Sequence, residues 1–376
     1  MVAESPKNER KVKENTSTSL PKSFIMITAV GIFLHFLLAI YVLPSYQQCA
    51  QGTVYNDTKL HTITQLPNGD THYNLLVITD LDNDSKIAKS KKPAWQSYIK
   101  KGSLVITKDK QSAHVNWFDD QDIAVKSDIG AGGRGMELSD LAVFNGHLLT
   151  VDDRTGLIYK IKDNKVFPWV FLNDGPGDAL KGMKGEWMTV KDNKLYVGGL
   201  GKEWTTTEGV FVNHHPMYVK VVSPDGAVQH LNWTDNYIQL RAAVGITYPG
   251  YMIHESGQWS DTHKKFFFMP RRASKDTYSE ATDEFKGTNY MLIASEDFSD
   301  IQFKEIGNAG TGSRGYSAFK FVPGTDDDII VTLKSEEMNG NPVASYISVY
   351  RLSTHQILLD ETLLTGTYKF EGIEFV

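Results

Sequence analysis

Two hydrophobic patterns divide the chain. Phe24 to Leu43 (FIMITAVGIFLHFLLAIYVL) is one apolar run, with only Thr28 and His35 clearly polar and no charge. About 20 apolar residues cross a bilayer as a helix, whereas a cleavable leader has an apolar core of roughly 7–15. From about residue 70 the pattern changes to short β-branched and aromatic runs separated by Gly, Asn and Asp, with no long stretch at helical period. That spacing predicts an all-β soluble part.

Aligned against one another, the short runs form a repeat. Ser139–Val143 leads through a polar turn to Leu148–Asp152, and Glu186–Val190 leads likewise to Leu195–Gly199. Glu255–Trp259 precedes Phe266–Pro270, Ser317–Phe321 precedes Ile329–Leu333, and Glu371–Phe375 ends almost at the C-terminus. The openings Ser139, Glu186, Glu255, Ser317 and Glu371 fall 47, 69, 62 and 54 residues apart. Propeller blades repeat at roughly 40–50 residues before loop insertions. Five openings therefore predict a five-bladed β-propeller over residues 71–376, with a β-sandwich of coincidental similarity as the competing fold. The truncated last copy predicts that the C-terminal strand closes the ring in a blade begun near Leu75–Asp80, which protects the sheet edges.

Flanking charge orients the apolar run. Lys7, Arg10, Lys11, Lys13 and Lys22 precede it, and no Lys or Arg follows Leu43 until Lys59. Excess positive charge stays on the cytosolic side. The reading is a single-pass signal anchor: cytosolic tail 1–23, transmembrane helix 24–43, luminal stem 44–70, then the propeller. A long leader peptide is the alternative. This type II topology suits the ER, the Golgi or the cell surface, with a released soluble form also open. Three glycosylation triplets, Asn56-Asp57-Thr58, Asn83-Asp84-Ser85 and Asn232-Trp233-Thr234, lie beyond the span, whereas Asn15-Thr16-Ser17 would face the cytosol. The one cysteine, Cys49, cannot make an internal disulfide, so no sulfur bridge staples the fold.

Composition sets limits. A chain of 376 residues, 41% hydrophobic and 22% charged, is ample for a globular core. The balance of 39 Lys+Arg against 45 Asp+Glu gives a formal charge of −6 with no basic stripe, which argues against nucleic acid as a partner.

The repeat also places chemistry. Innermost propeller strands share an axis, so Ser139, Glu186, Glu255, Ser317 and Glu371 would converge on a ring, with Asp140 beside Ser139. Three facing carboxylates repel one another. A hard cation relieves that repulsion, and Ca²⁺ takes 6–8 oxygen ligands, while an all-oxygen set disfavours zinc. From position alone, the ring either binds a metal or merely hydrates the channel. Other signatures fail. Gly315-Tyr-Ser317-Ala-Phe lacks the second glycine of a nucleophile elbow, and His254-Glu255-Ser lacks the second histidine of a zincin. Gly130-Ala-Gly-Gly-Arg-Gly135 has no Gly-Lys-Ser/Thr and is no Walker loop.

Several long motifs occurring in one order resemble the calcium-activated nucleotidase (apyrase) family. They are Gly133-Arg-Gly-Met-Glu-Leu-Ser-Asp140, Val151-Asp-Asp-Arg-Thr-Gly156, Tyr196-Val-Gly-Gly-Leu-Gly-Lys-Glu-Trp-Thr-Thr-Thr207, His254-Glu-Ser, Pro270-Arg-Arg-Ala-Ser274, Leu333-Lys-Ser-Glu-Glu337 and Glu371-Gly-Ile-Glu-Phe375. The resemblance runs from about Leu75 to the end and, with the apolar run, is to the membrane-anchored branch. It implies a five-bladed propeller with Ca²⁺ in a central tunnel, and hydrolysis of nucleoside di- and triphosphates to lower phosphates plus inorganic phosphate. It also implies calcium ligands at Ser139, Asp140, Glu186, Glu255, Ser317 and Glu371. Catalytic positions fall on Asp80, Asp153 and Arg271, and substrate contacts on Arg134, Trp204 and Arg272. UDP and GDP are the substrates expected of the anchored branch, and ADP and ATP of a secreted relative. A homodimer is left open. The competing functions are a non-catalytic, calcium-stabilised propeller that binds a protein or glycan, and a calcium-dependent lactonase or esterase.

Overall fold

The computed structural model describes residues 54–118 and 122–376. The tail, the apolar run 24–43, Cys49 and the Asn15 triplet lie outside the described residues. Among those described, no helix is long and apolar enough to cross a membrane.

Five antiparallel sheets of four or more strands form a five-bladed propeller, and two short ribbons, Trp204–Thr205 with Phe211–Asn213 and Tyr251–Ile253 with Arg272–Ser274, stand apart from them. Blade 2 is Leu138–Phe144, His147–Asp152, Leu157–Lys162 and Lys165–Phe171. Its tight hairpins follow from sequence: Asn145-Gly146 and Asp163-Asn164 take positive φ at both central positions, the geometry of a two-residue turn that matches strand twist. Blade 3 is Trp187–Lys191, Lys194–Gly198, Tyr218–Val222 and Val228–Asn232, and its first hairpin turns in the same way on Asp192-Asn193. Blade 4 is Gly257–Ser260, Lys265–Phe268, Tyr290–Ser295 and Ile301–Glu305. Blade 5 is Arg314–Phe321, Ile329–Met338, Asn341–Arg351 and Gln356–Leu363.

Blade 1 is built from both ends of the propeller. Thr71–Asp80 pairs on one side with Trp95–Ile106 and on the other with the C-terminal strand Lys369–Phe375, Leu75 opposite Phe375 and Asp80 opposite Lys369. The ring therefore closes as the truncated repeat predicts. The propeller unit also begins earlier than residue 71. Ile63–Gln65 pairs with Thr71–Tyr73, and the Tyr55 ring packs 5.5 Å from that of Phe144, so residues from Val54 onward belong to it and not to a free stem.

One apolar cluster fills each junction between neighbouring blades. Leu76, Ile99, Leu138 and Leu141 join blades 1 and 2, and Leu149, Ile158, Met188 and Leu195 join blades 2 and 3. Trp187, Val219, Phe266 and Leu292 join 3 and 4; Phe267, Met291, Phe319 and Ile330 join 4 and 5; Tyr73, Leu104, Val331 and Ile347 join 5 and 1. Burial between blades leaves the axis free for polar side chains. The helix Thr234–Ala243, which buries Tyr237 and Leu240, and the single turn Glu280–Asp283 interrupt the all-β pattern.

Candidate active site

Three of the five ring positions are β-bulge residues. In blade 2 the register steps from Leu138↔Asp152 to Asp140↔Val151, leaving Ser139 unpaired. Blade 5 steps from Tyr316↔Lys334 to Ala318↔Leu333 past Ser317, and blade 1 from Ile78↔Gly372 to Thr79↔Phe370 past Glu371. A bulge adds one residue to a strand and re-aims a side chain. Glu186 and Glu255 arrive differently, just ahead of the innermost strands that begin at Trp187 and Gly257.

Each glutamate of the ring lies within ion-pair distance of a base through one oxygen, although Glu186 Oε1 accepts no hydrogen bond. Glu186 Oε1 lies 3.0 Å from Lys184 Nζ. Arg271 Nη1 donates to Glu255 Oε2 at 2.5 Å and to Glu371 Oε1 at 2.9 Å, and Lys369 Nζ lies 3.4 Å from that same Glu371 oxygen. The other oxygens, Glu186 Oε2, Glu255 Oε1 and Glu371 Oε2, have no protein hydrogen-bond partner among the described residues. Ser139 Oγ is buried without a partner, and Ser317 Oγ donates to Phe370 O at 2.9 Å with its lone pairs uncommitted. Oriented carboxylates and hydroxyls with unshared lone pairs form a hard-cation donor set, and the basic residues behind them do the orienting. Close packing holds Arg271 there: a Cβ on Gly315 would stand 2.3 Å from Arg271 O and 2.4 Å from its Cγ.

A second acidic group joins the ring. Asp80, Glu137 and Asp153 are all buried and bring one carboxylate oxygen each within 4.8 Å of the others. Each has its own base. Lys369 Nζ lies 2.6 Å from Asp80, Lys184 Nζ pairs with Asp153, and Arg134 donates to both oxygens of Glu137 at 2.7 and 2.6 Å. Glu337 connects the two halves, 2.9 Å from Arg271, 2.6 Å from Arg272 and 3.4 Å from Lys369. Asp82 bridges Lys369 and Arg134, and Asp283 takes the remaining arm of Arg272.

Acids outnumber bases throughout this network. Among the described residues, Asp80, Asp82, Glu137, Asp153, Glu186, Glu255, Asp283, Glu337 and Glu371 are ion-paired only with Arg134, Lys184, Arg271, Arg272 and Lys369. Burial raises Asp80 to about 7 against the pull of Lys369. Burial likewise lifts Glu137 to about 8, with Asp153 adding repulsion. Glu186 also rises to about 8, its burial outweighing Lys184. Burial takes Glu371 well above the carboxylate range despite Lys369. Glu337 and Asp82 go the other way: in spite of burial, Arg271, Lys369 and Arg272 hold Glu337 far below its usual value, and Lys369 lowers Asp82. Buried carboxylates with this excess hold protons or take up a cation.

Most residues singled out from the sequence meet here, but three sit differently from the expected roles. Asp140 faces the junction of blades 2 and 3. Its Oδ1 accepts from Leu141 N at 2.7 Å and its Oδ2 from Met188 N at 2.7 Å, with Lys320 Nζ 3.5 Å away, so both oxygens are already engaged. Arg271, expected as a catalytic position, is 4% exposed at its side chain and surrounded by Glu255, Glu337 and Glu371. Trp204 lies outside the ion-pair network, packed with Leu200, Tyr251, Ile253 and Tyr278, with Lys181 Nζ 4.2 Å from its ring centre. Arg134 is the accessible guanidinium, 30% exposed, and Arg272 is 15% exposed.

Sequence reasoning missed Lys184, Lys369, Glu137, Glu337 and Asp82 as network members. A signal for the lysines was present: Lys184-Gly-Glu186 and Lys369-Phe-Glu371 repeat one spacing ahead of two ring glutamates.

The chain is a closed five-bladed propeller with buried carboxylates and hydroxyls that could hold a hard cation, set beside basic side chains. The sequence profile of the apyrase family matches residues 81–376. The protein named Apyrase apy-1 of Caenorhabditis elegans is 53% identical over 320 residues, covering 85% of this chain and 89% of that protein. Soluble calcium-activated nucleotidase 1 of Rattus norvegicus is 51% identical over 322 residues, 86% of this chain and 78% of that protein. An apyrase of Cimex lectularius is 40% identical over 359 residues, covering 95% and 98%. The chain belongs to the apyrase family and is a nucleotide phosphohydrolase.

Proposed function

We propose that this chain is a calcium-dependent hydrolase of nucleoside diphosphates, UDP and GDP foremost, and of triphosphates, releasing inorganic phosphate. The observation that carries the calcium dependence is the set of three buried glutamates, each fixed through one oxygen with the other uncommitted. Glu186, Glu255 and Glu371, with Ser139 and Ser317, would hold Ca²⁺, which when bound supplies positive charge to phosphate oxygens.

The chain's own residues do the remaining work. Arg134, with Nη1 uncommitted, and Arg272 face the anionic phosphates and offset charge that develops on the transferring group. Asp80, raised to about 7, is partly ionised at neutral pH and accepts the proton of the attacking water. Asp153 Oδ1, buried and without a partner, orients that water. Trp204, half-buried with Lys181 Nζ 4.2 Å from its ring centre, would contact the base.

The location follows as part of the same proposal. The apolar run 24–43 anchors the protein, the propeller faces the ER or Golgi lumen or the cell exterior, and Asn56, Asn83 and Asn232, all at exposed positions, carry glycans. Release of apolar-run-free protein by cleavage would give a soluble form.

The decisive test is phosphate release from a panel of UDP, GDP, ADP and ATP with Ca²⁺, with chelator, and with Mg²⁺ in place of Ca²⁺. Turnover of UDP and GDP that chelator abolishes and Mg²⁺ does not restore supports the proposal. Well-folded, calcium-loaded protein that turns over no nucleotide would leave a non-catalytic propeller.

A further inference from the structure

We propose that Lys184 and Lys369 are positioning residues that couple the calcium ring to the acidic cluster. The inference rests on the calcium reading of the ring. Lys184 Nζ contacts Glu186 Oε1 of the ring at 3.0 Å and, in the same place, Asp153 of the cluster. Lys369 Nζ contacts Glu371 Oε1 of the ring at 3.4 Å and Asp80 Oδ2 of the cluster at 2.6 Å. The two lysines come from different blades, one ahead of blade 3 and one in the closing strand of blade 1, yet they make the same pair of contacts. No other base among the described residues does so. Arg134 reaches only Glu137 and Asp82, and Arg271 reaches Glu255, Glu371 and Glu337 without touching Asp80, Glu137 or Asp153.

An ammonium shared between two carboxylates divides its attraction between them. When a cation at the ring draws on Glu186 and Glu371, each lysine has more attraction to give to its aspartate. Asp153 and Asp80 are then held more firmly where they meet water. The same sharing works in reverse, because coupling between two sites is reciprocal. Removing the aspartate charge turns the whole ammonium onto the glutamate, which then competes with calcium. A lysine that only neutralised charge in general would produce no such dependence of one group on the other.

The test is a pair of double-mutant cycles read by calorimetric calcium titration, with no substrate present. One combines Asp153→Asn with Lys184→Met, and the other Asp80→Asn with Lys369→Met. With the lysine in place, the aspartate substitution is expected to weaken calcium binding about tenfold, and in the Lys→Met background by no more than about twofold. Lys184→Arg, which keeps the charge, should retain most of the coupling. Lys184→Gln stands in if the Lys184→Met protein lacks the wild-type circular dichroism spectrum, and the Lys369 cycle is independent of it. Equal factors in the two backgrounds, with tight calcium binding by the wild type, would overturn the coupling and leave the calcium site standing. Absence of calcium binding by the wild type would instead remove the ring reading beneath it.

Discussion

Arg271 and Glu371, 100 positions apart in sequence, meet at 2.9 Å through Nη1 and Oε1 on the propeller axis. The same guanidinium holds Glu255 and Glu337, and its side chain is almost wholly enclosed. Arg271→Ala would therefore leave three buried carboxylates short of a counter-charge. Breaking a buried ion pair from one side costs about 3–5 kcal/mol. In chelator the variant should melt well below the wild type. Calcium, by occupying the glutamates, should recover part of the loss, so its stabilising shift should exceed that of the wild type. An equal loss of melting temperature with and without calcium would mean that Arg271 braces the fold and does not share its carboxylates with an ion.

Glu186→Gln and Glu371→Gln remove charge from oxygens proposed to hold the ion. Each is expected to weaken calcium binding by at least about 10- to 100-fold, the range seen when even outer-shell partners of a metal are lost. Activity at limiting calcium should fall with it and recover as calcium is raised. Glu337→Gln is the control, because three bases already claim Glu337 and neither oxygen is uncommitted. A calcium titration followed by calorimetry separates the three. If Glu186→Gln binds calcium like the wild type, Glu186 is not a ligand.

Asp140 joins the backbone of two blades, accepting from Leu141 N and Met188 N beside Lys320. Asp140→Ala would strand the Met188 N–H and the Lys320 ammonium in a buried site. The expected result is a loss of roughly 3–5 kcal/mol in chemical denaturation, with calcium affinity altered less than in Glu186→Gln. Weakened calcium binding without loss of stability would make Asp140 a ligand.

How much of this was legible in the sequence depends on which physical constraint set each feature. The blade count was legible because each blade repeats one strand–turn–strand unit with the same kind of opening residue. Closure was legible because the last unit is cut short at Phe375. The ring positions were legible for the same reason, although a bulge at Ser139, Ser317 and Glu371 leaves no composition signal. Asp140 turns toward Met188 because the bulge at Ser139 shifts its neighbour out of simple alternation. The bases behind the ring stayed hidden for a different reason. Lys184 and Lys369 acquire their meaning only when separate blades bring Asp153 and Asp80 to them, and spacing along one strand cannot reveal that. The start of the propeller unit at residue 54 was equally hidden, since Tyr55 gains its partner Phe144 only in the folded ring.

Protonation supplies the last test. Burial raises Asp80 to about 7 and Glu137 and Glu186 to about 8, against a value near ~4 in an unfolded chain. Because the folded values are raised, the stability these groups contribute to the ion-free protein is fully present below pH ~4. It is lost as pH rises through about 7 to 8. Calcium binds carboxylates only in the ionised form, so binding must expel the proton that Glu186 still holds at neutral pH. Calcium affinity should therefore climb from pH 6 to pH 9, most steeply across 7 to 8. Calorimetric titrations in two buffers of different ionisation enthalpy should register proton release on calcium binding at pH 7 that diminishes as pH rises toward 9. Over the same range, calcium should shift the melting temperature more at pH 8.5 than at pH 6, because the carboxylates it satisfies are then unprotonated and mutually repelling. An affinity that stays flat from pH 6 to 9, with no proton release, would show that the ring glutamates are already ionised and that burial does not govern their charge.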